Sequence, residues 1–256
     1  MIVLRMFILI TLVLLLNGVT DAQMQPKVEQ HPSTLDLRLW PVVLHASPLT
    51  KALSEVGAKV REGYVLFGAE ILLEKGKEPV VNLNLDAGGT VGDALQQIIN
   101  QLPGYTFKVI SPHMINVFPK GATEDPNDIL NLRIPQFDAV NTHPSDVLSR
   151  PQHFISELKA RLTPQDSPQP TGYIDGIHGS GPTVTVHLRN ATVREILNAV
   201  SEATDQFPAT DAPLGWMYTF QPKSQSGAGG IHSWMFLWSA PSTWKRQQEQ
   251  EEVPKP

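Results

Sequence analysis

Residues 86–95 read DAGGTVGDAL, a spacing that invites phosphate chemistry. Ala87–Gly92 comes within one residue of the pattern G-x-G-x-x-G, whose glycines let a backbone turn approach a pyrophosphate at a helix N-terminus. That chemistry also needs a parallel sheet and an acid about 20 residues on, at the end of the next strand. The region in question, FKVISPHMIN, has no acid, and no lysine follows the glycines as a P-loop requires. The glycines therefore read as a turn, and no cofactor is expected. Eight histidines raise metal binding. His178, His187 and His232 lie in the C-terminal half, but no pair has the i, i+4 spacing of helical zinc ligands and no HExxH occurs. These read as surface histidines, with no metal expected. There is no GxSxG elbow; Ser180, in HGSGP, sits in a turn, and the paired acids Glu251 and Glu252 fall in a polar tail. No catalytic residue is assigned, and the chain reads as a non-enzyme.

Aromatic residues carry the strongest hint of an interface. Trp216, Tyr218 and Phe220 alternate, and so do Trp234, Phe236 and Trp238. If the two stretches pair as a hairpin, each strand puts its three rings on a single face. One reading makes them core packed on a helix. The other makes them a platform for a protein or a sugar. Met217, Met235 and Leu237 make the opposite face apolar too, so such a hairpin either lies inside or has a partner.

The elements that must position these rings follow from periodicity. Leu35–Trp40 alternates as a half-buried strand would. Leu49, Ala52, Leu53, Val56 and Val60 form a helical stripe after Pro48. Tyr64–Leu73 is an apolar strand with Gly68 inside it, a position for a bulge. Val81, Leu83 and Leu85 alternate with Asn82 and Asn84, and Val91, Ala94, Leu95, Ile98, Ile99 and Leu102 make the next stripe. YTFKVI and MINVFP read as a hairpin around SPH. Residues 121–143 read as a linker carrying a strand over Ile129–Phe137. Pro144 opens another helix, with Val147, Leu148, Phe154, Ile155, Leu158 and Leu162 on its apolar side.

From there the order repeats. YIDGIHG takes the place of YVLFGAE, TVTVHLRN that of VVNLNLD, and TVREILNAVSEA that of TVGDALQQIINQ. The match is in register: Thr90 with Thr192, Asp93 with Glu195, and Val91, Ala94, Leu95 and Ile98 with Val193, Ile196, Leu197 and Val200. Each threonine is set to cap a helix, with an acid three residues on reaching back. The first copy has one extra residue, in the glycine turn. The reading is an internal duplication: residues 35–120 as one unit and 144–239 as a second, with 240–256 as a disordered tail.

Two stretches, VVNLNLDAGGTVGDALQQIINQLPGYTFKVISPHMINVFP and VTVHLRNATVREILNAVSEAT, resemble the secretin and TonB short N-terminal (STN) domain. Its pattern is an alternating strand, a turn, T(V/L)xxAL opening a helix, and two strands. The resemblance covers Pro79–Pro119 and, more loosely, Pro182–Trp238. It implies an α+β chain of two small α/β sandwich units of STN-like topology, with helices packed on short mixed sheets. It also implies life in the bacterial envelope and a habit of binding proteins. Nothing downstream of the second unit is expected to form an outer-membrane barrel.

The remaining composition fits export. Arg5, the apolar run MFILITLVLLL and small residues at Thr20 and Ala22 mark residues 1–22 as a signal peptide, with an uncleaved anchor as the other reading. Residues 23–34 read as a flexible leader. The 256 residues include no cysteine, so neither disulfides nor a lipid anchor are available and the core alone must hold the fold. A net charge of −5 argues against nucleic-acid binding, and no later run is long enough to span a membrane. The chain therefore reads as a periplasmic or secreted binding or scaffold module for an envelope protein partner, its oligomeric state open. The alternative is a secreted carbohydrate-binding or hydrolytic protein using the hairpin 216–238.

Overall fold

The computed structural model describes residues 33–162, 182–206, 214–221 and 231–238, the last with side chains for 232–235 only. The signal segment, most of the leader, the YIDGIHG stretch, Ser180, His178 and the tail lie outside the described residues. The fold is α+β. Its elements are β1 (Arg38–Leu39), β2 (Val42–Pro48), α1 (Leu49–Ala58), β3 (Leu66–Leu72), β4 (Val80–Leu85), β5 (Gly89–Thr90) and α2 (Val91–Gln101). Then come β6 (Tyr105–Ser111), β7 (Met114–Pro119), β8 (Arg133–Thr142), α3 (Pro144–Ser149), α4 (Ser156–Arg161), β9 (Val184–Thr192), α5 (Val193–Ala203), β10 (Leu214–Gln221) and β11 (Ile231–Trp238).

A five-stranded mixed sheet in the order β11-β10-β3-β7-β6 holds strands from both halves of the chain. Its centre, β3, runs parallel to β7 on one side and to β10 on the other. Each hairpin is antiparallel within itself. Alternation along β3 divides two cores. Phe67, Ala69 and Ile71 join Ile115, Val117 and Met217 beneath α1, α2 and the β2–β4 ribbon. Leu66 joins Met114, Leu214, Trp216 and Tyr218 beneath α3, α5 and the β8–β9 ribbon. There are thus two cores, one on each face of the shared sheet, and each takes residues from both repeats. A strand buried on both faces reads as a continuous apolar run, which is why VLFGAEILL shows little alternation.

The duplication is clearest at the helix starts. Thr90 Oγ1 accepts from Asp93 N–H at 3.1 Å and Asp93 Oδ2 from Thr90 N–H at 2.9 Å. Thr192 and Glu195 repeat this at 3.2 and 2.7 Å. Such a cap contributes about 1 kcal/mol. Both helices bury the four matched apolar positions of their stripes, while Ile99 and Leu102 of the first stripe are half-buried. Two residues before each threonine the backbone enters the left-handed region, at Gly88 (φ 82°) and Asn190 (φ 51°). Glycine and asparagine are the residues that tolerate it. A side chain at Gly88 would also meet the Leu39 carbonyl oxygen at 2.8 Å.

The repeat begins earlier than periodicity alone indicates. Residues 128–143 form the counterpart of 33–48. Ser33 and Asp128 cap 3-10 turns at Thr34–Asp36 and Ile129–Asn131. The Leu37 and Leu132 carbonyls accept from the N–H groups of Val91 and Val193. Arg38 pairs with Thr90, and Arg133 with Thr192. β2 and β8 bulge at matching places, with Ala46 (φ 44°) and Asn141 (φ 51°) left-handed.

Several expectations are corrected. Leu35–Trp40 is not one strand but the end of a 3-10 turn followed by β1, because Leu37 turns its carbonyl to α2. β2 carries the main pairing with β4; its bulge had disguised the alternation. Ile129–Phe137 likewise starts as a 3-10 turn. Gly68 makes no bulge: its pairing is regular on both sides. The helix after Pro144 breaks at Arg150, where Pro151 has no N–H to continue the ladder. Phe154 falls in that break and is exposed.

Candidate functional site

The aromatic hairpin forms as expected, in an antiparallel register. Trp216 pairs with Phe236, Tyr218 with Trp234, and Leu214 with Trp238. The rings that are described do not form an open platform. Trp216, Tyr218 and Trp234 are 1%, 2% and 5% exposed, and Phe220 is half-buried. The side chains of Phe236 and Trp238 lie outside the described residues. The expected interaction surface is therefore corrected at Trp216, Tyr218 and Trp234. The reason is topological: β10 lies between β11 and β3 with a helical layer on each face, so both faces of the strand are interior.

The packing there is specific. Trp216 Nε1 donates to Asn198 Oδ1 of α5 at 2.7 Å. Its ring fills the space over Gly68, where an added Cβ would lie 2.5 Å from Cε2. Tyr218 packs against Trp234 in a tilted pair, with centroids 4.4 Å apart, and its hydroxyl lies 2.5 Å from His232 Nδ1.

A second constellation was not foreseen in the sequence. Glu70 of β3, 1% exposed, accepts from Arg194 Nε of α5 at 2.6 Å. Arg194 also donates through Nη1 to Asn131 and through Nη2 to Asp128 Oδ2 at 3.4 Å. Asn131 in turn donates to the carbonyls of Ala122 and Asp125. One guanidinium thus ties the central strand to the capped helix and to the 3-10 turn that opens the second repeat. Burial pushes the Glu70 carboxyl up to about 7; Arg194 opposes this and Asp128 adds to it. Among the described residues, Glu70 Oε2 has no hydrogen-bond partner. The signal was available: Glu70 is the one charge in an apolar strand, and such a residue needs a partner when buried.

The surface groups stand apart from both features. His187 points outward, as expected from alternation, and its Nδ1 meets Asp138 Oδ1 at 2.6 Å. His187 first, then Gln136, hold the Asp138 carboxyl below its ordinary range. His187 and His232 belong to different sheets and do not converge. Among the described residues no group of three metal-ligating side chains occurs, and no helix is long and apolar enough to cross a membrane. The glycine turn follows β4, which is antiparallel to β2; it lacks the parallel setting of a dinucleotide fold. Comparison of the chain with family models, with curated proteins and with solved structures gives no match.

Proposed function

We propose that the chain is an exported, non-enzymatic binding or scaffold module of the bacterial cell envelope, acting through protein–protein contact. The observation that carries this reading is strand β6. It is one of the two outer strands of the five-stranded sheet, paired only with β7 among the described strands. It exposes Lys108, Val109 and Ile110 in a row, the two apolar residues at 38% each. An edge strand offers unpaired N–H and C=O groups to a partner strand, and adjacent apolar side chains add burial on docking. Lys108 and the register shift at Ile110 guard the same edge against indiscriminate pairing. The signal segment and the STN resemblance support an envelope location. The burial of Trp216, Tyr218 and Trp234 withdraws support from the carbohydrate-binding alternative, which needs accessible rings.

The test is affinity capture from an envelope fraction with the wild-type chain and with V109E/I110E, after circular dichroism has shown equal folding. Loss of a specific envelope protein in the variant supports the proposal. Equal capture by both chains, or capture of none, refutes it.

A further inference from the structure

The two repeats differ in how they finish their outer ribbons. In the first repeat, α2 closes the free edge of β4 with two glutamine side chains. Gln101 Oε1 accepts from Asn82 N–H at 2.8 Å, and its Nε2 donates to the Asn82 carbonyl at 2.7 Å. Gln97 does the same for Asn84, at 3.0 and 3.2 Å. Each primary amide supplies the donor and acceptor that a neighbouring peptide unit would supply. One helical turn separates the two glutamines, so together they stand in for a short paired strand.

The second repeat has no such closure. In the register that matches Thr90 with Thr192 and Leu95 with Leu197, the places of Gln97 and Gln101 fall to Ala199 and Ala203. Thr185 and His187 occupy the places of Asn82 and Asn84 in equivalent ladders, Leu83 facing Leu44 and Val186 facing Ala139. Their main-chain groups therefore turn away from β8, and among the described residues nothing hydrogen-bonds them on that side. Ala199 and Ala203 are half-buried against the second core, and their methyl groups are too short to bond the β9 main chain as the glutamines bond β4.

We propose that the chain pairs with a second copy of itself through this open edge of β9. The edge is self-complementary. An antiparallel two-fold pairing about Val186 sets Thr185 of each copy against His187 of the other, forming on the order of four main-chain hydrogen bonds. Val184 then lies opposite Leu188, so the inward row stays apolar, and Arg189 falls opposite Thr183, so no like charges meet. The ribbons merge into one four-stranded sheet, and the alanines let the two α5 helices approach beneath it. The glutamines forbid the same union through β4. This pairing does not depend on the envelope role or on β6.

Sedimentation equilibrium of the chain over a wide concentration range tests it, with amide exchange at Thr185 and His187 read in parallel. The wild type is expected to show a monomer–dimer equilibrium, and both amides should be protected only when dimeric. A199Q/A203Q, which copies the closure of the first repeat, should weaken dimerisation at least about tenfold and protect both amides at every concentration. His187→Pro removes an outward donor without touching the β8 ladder and should also yield monomer, which covers the case of a misfolded glutamine variant. A wild type monomeric throughout, or variants that dimerise as strongly as the wild type, overturns the proposal.

Discussion

Replacing Glu70 by glutamine separates two accounts of the buried ion pair. If Arg194 dominated, Glu70 would stay ionised and its loss would cost more as pH rises. Burial dominates instead, raising the carboxyl from an ordinary 4.5 to about 7. A carboxyl whose folded pKa is raised binds its proton more tightly in the folded than in the unfolded chain. Its contribution to stability is therefore present at low pH and lost as pH rises between those two values. At about 1.4 kcal/mol per pH unit, the span is worth about 3 kcal/mol. Glu70→Gln keeps the shape and an acceptor for Arg194 but removes the titration. Urea unfolding of both chains, followed by circular dichroism from pH 4.5 to 8, cancels the groups they share. The stability of E70Q relative to wild type should rise by about 3 kcal/mol across that range and level off above pH 7. A flat difference, or one that falls as pH rises, would refute the argument and leave Arg194 in command of the pair.

Two further outcomes follow from the sheet and the repeat. Gly68→Ala puts a methyl group against Trp216, which α5 holds through Asn198, and so should cost about 1–3 kcal/mol by overpacking; thermal unfolding reads this directly. Ala46→Asn gives the exposed left-handed bulge of the first repeat the residue found in the second, and should stabilise by about 0.5–1 kcal/mol in urea titration.

The sequence by itself determined what depends on neighbours along the chain. Thr90 with Asp93 and Thr192 with Glu195 are three residues apart, so each capping box is complete within one helical turn and legible as a motif. The stripes of α2 and α5 follow from the 3.6-residue period, and both aromatic-bearing hairpins from strand alternation around a turn. The copies could therefore be matched before any contact was known. Two local signals misled: the bulge at Ala46 broke the alternation of β2, and the 3-10 turn at Ile129–Asn131 made the start of the second repeat look like a linker.

Only the tertiary structure decided what depends on residues distant in sequence. Alternation places Trp216, Tyr218 and Trp234 on one face, but whether that face meets water depends on the layer of α3 and α5 packed over it and on the strand that holds β10 inside the sheet. That strand is β3, from the other repeat. The same crossing sets Trp216 over Gly68 and Arg194 against Glu70, pairings that no periodicity encodes. It also fixes the difference between the ribbon edges, since a glutamine on a helix flank reads as solvated surface until a strand edge is seen to run past it. Hydrophobic pattern specifies that a face must be covered; the path of the whole chain specifies what covers it.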